Sequence, residues 1–206
     1  MLKQIKYLYK TIFLFITVIF SSYQLLAQFE VGVKAGLNTA GIWVGPNASQ
    51  AYRDRYEAKV AYHGGVFGQL SLPNGFSVNP ELLFSEKGSK VQLDNNEEGN
   101  TRLYYLSLPV LAGYQPLNRF TLLMGPEVGY LLAAKDKSPY GTVDASNVYN
   151  QDLEISLTTG LNYEIIKKGL LTFRYVHGLS TVRETDITTG ATWKNRVFQL
   201  AVGYKL

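Results

Sequence analysis

The chain has 206 residues, a formal net charge of +4 and no cysteine. That length fits one domain, and 46% hydrophobic with 17% charged residues is too apolar for a disordered chain. The missing cysteine excludes disulfide frameworks, thiolate zinc sites, thiol nucleophiles and lipid-modified cysteine anchors.

The chain opens with an export signal. Lys3, Lys6 and Lys10 form a basic start, and residues 11–20 are an almost unbroken apolar run. That run has the length of a signal-peptide core. It is short against the roughly 20 apolar residues of a membrane span, so an uncleaved anchor helix is the weaker reading. Leu25-Leu26-Ala27 supplies a small residue before the expected cut. The expected organisation is a signal peptide over 1–27 and a mature domain over 28–206. The signal removes three lysines and no acid, which leaves a balance of +1. The basic character is mostly export signal, and a nucleic-acid partner is not expected.

After residue 28 the apolar residues recur with a period of two, the signature of strands. Residues 29–40 set Val31, Val33 and Leu37 against Lys34 and Asn38. Residues 60–72 set Tyr62, Val66 and Leu70 against His63, Gly65 and Gln69. Residues 76–87 set Phe76, Val78, Leu82 and Phe84 against Ser77, Asn79, Glu81 and Ser85. Residues 103–114 carry Tyr104, Leu106, Leu108, Val110 and Tyr114 on one face.

Four more segments follow. Residues 120–134 set Phe120, Leu122, Met124, Val128 and Tyr130 against Gly125, Glu127 and Gly129. Residues 153–165 set Leu153, Ile155, Leu157 and Tyr163 against Glu154, Ser156 and Thr158. Residues 170–179 set Leu171, Phe173 and Tyr175 against Thr172 and Arg174. Residues 193–206 set Phe198, Leu200, Val202, Tyr204 and Leu206 against Gln199, Gly203 and Lys205.

The connections alternate too. Pro73-Asn74-Gly75 and residues 115–119 and 166–169 are short. Residues 41–59, 88–102, 135–152 and 180–192 are long and polar. Short turns at one end and long loops at the other predict an all-β, eight-stranded antiparallel up-and-down transmembrane β-barrel. A soluble barrel with its apolar face inward is the competing closure.

Three features favour the membrane closure. First, Lys34, Glu81, Glu127 and Arg174 fall near mid-strand on the polar face and predict a paired lumen network. Glycines on that face, Gly32 and Gly160 among them, make room for the longer side chains. Second, aromatics gather at the strand ends of the apolar face, as in the two girdles of a spanning barrel. Phe29, Phe76, Tyr114, Phe120, Tyr163, Phe173 and Tyr204 are placed at the short-turn end. Tyr62, Phe84, Tyr104 and Tyr130 are placed toward the long loops. Third, the sequence ends in a strand whose last residues resemble the C-terminal signal read by barrel-insertion machinery. Leu206 stands there in place of the usual Phe.

Pro80-Glu81-Leu82-Leu83-Phe84-Ser85-Glu86-Lys87-Gly88 resembles the PELLYSxKG segment of the PorT-like outer-membrane β-barrel family of Bacteroidetes-type bacteria. Tyr105-Leu106-Ser107-Leu108-Pro109-Val110-Leu111 is similar to its YLEIPLLL strand, with Ser107 where Glu is common. Gly125-Pro126-Glu127-Val128-Gly129-Tyr130-Leu131-Leu132 is similar to its GPxxGYLL strand. The segment 174–180 and the final strand resemble its last hairpin. The resemblance implies the architecture and an outer-membrane location. It does not assign an activity, although a few members resemble parts of secretion or gliding systems.

Candidate chemistry is sparse. His63 and His177 lack metal-ligand spacing and read as hydrogen-bonding residues. No metal, cofactor or catalytic residue is expected. His177, Ser180 and Glu184 offer the residue types of a surface lipid hydrolase, but on a strand His177 and Ser180 point to opposite faces. The lumen charges read as a plug before a conduit, because eight strands leave little room for water. Trp43, Tyr52, Arg53 and Tyr56 in the first long loop, with Tyr140 and Tyr149 in the third, are candidates for contact with a protein partner. The expected function is that of a structural or surface-interaction barrel, an accessory to a secretion assembly. A narrow transport channel is the alternative and a lipid hydrolase the third reading. The expected partners are outer-membrane lipid, the insertion machinery and a protein at the outer loops. The expected place is a Gram-negative outer membrane, with both mature termini periplasmic.

Overall fold

The computed structural model describes residues 29–93, 97–149, 152–183 and 191–206. The expected signal peptide lies outside them.

Alternating residues with short turns fold as expected into hairpins. The strands are β1 (Phe29–Val44), β2 (Tyr56–Glu57), β3 (Lys59–Ser71), β4 (Phe76–Gln92) and β5 (Glu98–Leu117). They continue with β6 (Phe120–Ser138), β7 (Gly141–Asp144), β8 (Leu153–Ile166), β9 (Gly169–Gly178) and β10 (Trp193–Lys205). One short helix, α1 (Gln50–Arg53), is capped by Ser49, whose side chain accepts from the Tyr52 amide. Two small strands, β2 and β7, only extend the rim, pairing with β4 and β6. The other eight form a closed antiparallel barrel in which each strand pairs with the next, and β1 pairs with β10 to shut the ring.

The turns explain the hairpins. Asn74 and Gly75 adopt left-handed backbone at φ 62° and 77°, the conformation that a two-residue hairpin turn demands. Arg119 adopts φ 70° between paired Leu117 and Phe120.

The registers also fix the tilt. A circuit from Phe76 runs through Tyr114, Leu122, Leu161, Phe173, Leu200 and Leu37 to Tyr62. Beside Tyr62, His63 pairs with Ser85. The circuit therefore climbs about ten residues along β4, which for eight strands corresponds to a tilt of about 40°.

Inside and outside follow the predicted alternation. Val31, Val33, Leu37, Leu106, Leu108, Val128 and Leu200 are exposed on the outer wall, while Lys34, Asn38, Glu127 and Arg174 are buried within. The lumen is less uniformly polar than expected. Phe67, Leu83, Leu111, Leu123 and Tyr105 are also buried inside it.

The strands run further than the alternation suggested. β4 and β5 stay paired out to Gln92 and Glu98, and β6 reaches Ser138. The segments 88–102 and 135–152 are therefore partly strand. Beyond the apolar band both faces of a strand are polar, so the period disappears from the sequence while the hydrogen bonds continue.

Candidate functional site

Three of the four predicted lumen charges meet. Arg174 donates from both terminal nitrogens to the two Glu81 oxygens, each at 2.7 Å. Lys34 donates to the same carboxylate at 2.8 Å. Two-pronged charge-assisted bonds of this kind are strong and directional. Arg174 is 1% exposed, and an unpaired charge there would be very costly. Gly160 makes the space: a Cβ on it would lie 2.6 Å from Arg174 Cγ and would also strike the Phe173 carbonyl. Gly32 leaves room for the Phe67 ring in the same way, and that ring faces the Lys34 ammonium at 5.5 Å.

Glu127 belongs elsewhere, which corrects the single predicted network. It accepts from Lys87 at 3.1 Å and from the Thr158 hydroxyl at 2.9 Å. Lys87 also donates to Glu154 at 3.2 Å, and Asn195 donates to that carboxylate at 3.1 Å. Lys87 is fully buried. The first group carries one positive charge in excess and the second one negative, so the six charges cancel. A neutral polar ladder joins the wall beside them: Gln199 donates to Asn38 at 3.2 Å, and Asn38 donates to the Glu86 carbonyl at 2.8 Å.

Lys87 and Glu154 were missed as network members. Lys87 keeps the phase of Ser77, Asn79, Glu81 and Ser85, and Glu154 lies on the predicted polar face. Both are visible by parity, but parity alone does not say which inward charges share a level.

A second unforeseen feature covers the long-loop end. Val44, Ala48, Leu103, Leu131, Ala134, Ala145, Tyr149, Val182, Ala191 and Trp193 form one apolar core, with Tyr52 and Tyr56 packed against it. Tyr52 and Tyr56 hydroxyls lie 3.1 Å apart. Tyr149, Tyr52 and Tyr56 are thus lid residues and not the open contact surface expected of them. Burial, with the Tyr52 hydroxyl bond second, pushes the Tyr56 hydroxyl pKa up. Burial also raises that of Tyr149. Beside the lid, a cleft of about 210 Å³ opens between Tyr56, Asn100, Asp136, Tyr149 and Arg183.

The other predicted residues divide. Tyr140 is 84% exposed, and its hydroxyl donates to Glu97 at 3.1 Å. Arg53 is half-buried on α1 and donates to Gln50 at 3.3 Å. Trp43 lies in β1 and not in a loop, with the Arg196 guanidinium over its ring at 4.9 Å.

The girdle aromatics face outward. At the short-turn end Phe76 packs on Tyr114 at 5.0 Å, and Phe120 pairs with Tyr163. Toward the loops Phe84 stacks between Tyr62 and Tyr104. Tyr130 and Tyr204 are half-exposed on the outer wall. Phe173 differs from expectation. It stands four residues above Gly169 and stacks on Phe198 at 6.4 Å, in the middle of the outer apolar band.

The hydrolase residues do not come together. His177 Nδ1 lies 3.2 Å from the Tyr175 hydroxyl, and the Ser180 hydroxyl accepts from the Ile155 amide at 2.9 Å. Glu184 lies outside the described residues. His63 is buried in the lumen with no partner for Nδ1. Among the described residues no three His, Asp or Glu side chains are placed to hold a metal.

A family model for the outer membrane protein beta-barrel domain matches residues 21–184. No curated protein matches the sequence. Among solved structures the chain is similar to Ail, the attachment invasion locus protein of Yersinia pestis, in complex with the heparin analogue sucrose octasulfate. Identity is 13%, coverage is 87% of this chain and 99% of that chain, and the TM-score is 0.50. It is also similar to Neisserial surface protein A, at 10% identity, 85% and 97% coverage and a TM-score of 0.51. At such identities the likeness is one of fold.

Proposed function

Because this chain belongs to the outer membrane protein beta-barrel domain family, we propose that it is a non-enzymatic structural and surface-interaction barrel of the Gram-negative outer membrane. The observation that carries this reading is the lumen: Lys34, Glu81 and Arg174, and then Lys87, Glu127 and Glu154, pair across it and are at most 7% exposed. A conduit needs water beside its charges; these have each other. The apolar cluster at the long-loop end supports the same reading.

Orientation follows the same logic. Phe29 and Lys205 lie at the short-turn end, where Lys205 bridges Glu30 at 2.7 Å and Glu164 at 2.9 Å. In this reading both mature termini, brought to one end by the even strand count, face the periplasm, as the short turns of such barrels do. The motif likenesses noted above support a PorT-like member in this reading, with its leader cleaved after Ala27 and its outer loops serving a secretion assembly. Outer-membrane lipid surrounds the wall.

Single-channel recording in planar bilayers tests the plug. The expected record is silent; steady, ion-selective openings would overturn the reading. Phospholipid release by the folded protein tests the absence of an enzyme. Hydrolysis that disappears in Ser180→Ala would replace this reading with the hydrolase.

A further inference from the structure

The outer wall of β9, β10 and β1 changes character at one level. Along β10 the outward residues are Leu206, Tyr204, Val202, Leu200 and Phe198, all exposed and apolar. The next two outward positions are Arg196 and Lys194, between buried Val197, Asn195 and Trp193. Leu206 and Arg196 are ten positions apart. At about 3.3 Å per residue and a tilt of about 40°, that is about 25 Å of height, the thickness of a barrel's outward apolar band. Arg196 therefore stands at the edge of the band on the long-loop side, and Lys194 just beyond it.

The neighbouring strands complete a cluster. Trp43 of β1 pairs directly with Lys194, and its ring lies under the Arg196 guanidinium at 4.9 Å. His177 of β9 pairs directly with Arg196. Among the described residues no carboxylate pairs with Lys194 or Arg196, and Arg196 Nε has no hydrogen-bond partner. The lumen cations, by contrast, are all paired. Two cations without a carboxylate partner among the described residues, and an imidazole, are braced on an indole at the level of lipid headgroups and invite an anion. An anionic headgroup at a membrane surface attracts such residues, and guanidinium groups suit phosphate geometry.

We propose that Lys194, Arg196, His177 and Trp43 form an outer-wall site for the phosphate of an outer-leaflet lipid. Arg196 and Lys194 bind the phosphate, His177 donates from the side, and Trp43 fixes the guanidinium and packs on the acyl glycan or glycerol beneath. The site rests on the orientation proposed above only for which leaflet supplies the lipid; binding in a micelle does not depend on it.

The test is native mass spectrometry of the folded full-length mature protein in detergent micelles, titrated with bisphosphorylated lipid A. Retention of the folded band on unheated gels certifies each variant. Arg196→Gln with Lys194→Gln is expected to weaken retention about 30-fold, taking about a factor of five to six per surface cation. Lys167→Gln with Lys168→Gln, at the opposite end, is expected to leave it unchanged. Lipid A stripped of its phosphates is expected to bind no better than the double variant binds the intact lipid. Equal retention by the Arg196 and Lys194 variant, or equal weakening by the Lys167 and Lys168 variant, would overturn the site. Full displacement by millimolar inorganic phosphate would overturn the lipid in favour of a free-anion site.

Discussion

Arg174 and Glu81 are 93 residues apart in sequence and meet inside the lumen through two parallel bonds of 2.7 Å. Lys34 completes the triad from a third strand. Cutting one member leaves the others charged, buried and unsolvated, so the cost is asymmetric. Glu81→Gln is expected to destabilise the barrel by about 3–5 kcal/mol. Urea-dependent unfolding in lipid vesicles measures it, and an unchanged midpoint would remove the triad from the account of stability.

The second charge group should behave as a unit. Lys87→Met strands Glu127 and Glu154 and is expected to cost about 3–5 kcal/mol. Adding Glu127→Gln and Glu154→Gln removes the stranded charges and is expected to recover much of that loss, a coupling of about 0.5–3 kcal/mol. Additive losses in the triple variant would show three independent residues.

Gly160 is a test of space and not of charge. Gly160→Val places a side chain where Arg174 passes, and overpacking of this kind costs about 1–3 kcal/mol. Thermal shift of the folded gel band reads the loss. A Gly160→Val protein as stable as the parent would mean that the arginine has another path.

The lid carries a pH dependence with a defined sign. Burial raises the pKa of the Tyr149 and Tyr56 hydroxyls in the folded protein. Their neutral forms are favoured there, so their contribution is whole below the unfolded value of about 10 and falls as pH rises above it. Trp193, buried in the same core, should report the loosening as a fluorescence change at alkaline pH. Tyr149→Phe should shift or shrink that transition, and an identical profile would detach it from this tyrosine.

Exposed Tyr140 should matter little to folding. Tyr140→Ala is expected to change stability by no more than about 0.5 kcal/mol, because the side chain is exposed and its hydroxyl meets an acidic partner, Glu97, in the loop. A larger loss in urea unfolding would reveal a loop contact of greater weight.

Strand number, order and sidedness were legible because lipid-facing and lumen-facing residues alternate with a strict period of two. The turns at Asn74-Gly75 and after Leu117 were legible from length and composition. Partners inside the lumen were not. Period two separates Glu127 and Arg174 from the outer wall, yet both share that parity while binding different residues. Which inward side chains share a level depends on the stagger of the strands, and stagger is set by closure over the whole ring. The lid was hidden for another reason. Val44, Ala48, Ala145, Val182 and Trp193 are scattered through polar loops, and only the fold gathers them.

The seam between β1 and β10 has a kinetic consequence. Every other ring contact joins strands adjacent in sequence, so hairpins can form as soon as their residues are present. The seam alone joins the two ends, as in the bond from Gln199 to Asn38 across 161 residues. Until the last strand arrives, the chain is an open sheet with two unpaired edges and a bare apolar face, an invitation to aggregation. Its passage to the membrane is therefore a race between closure and clumping, decided by whatever shields those edges until the final strand docks.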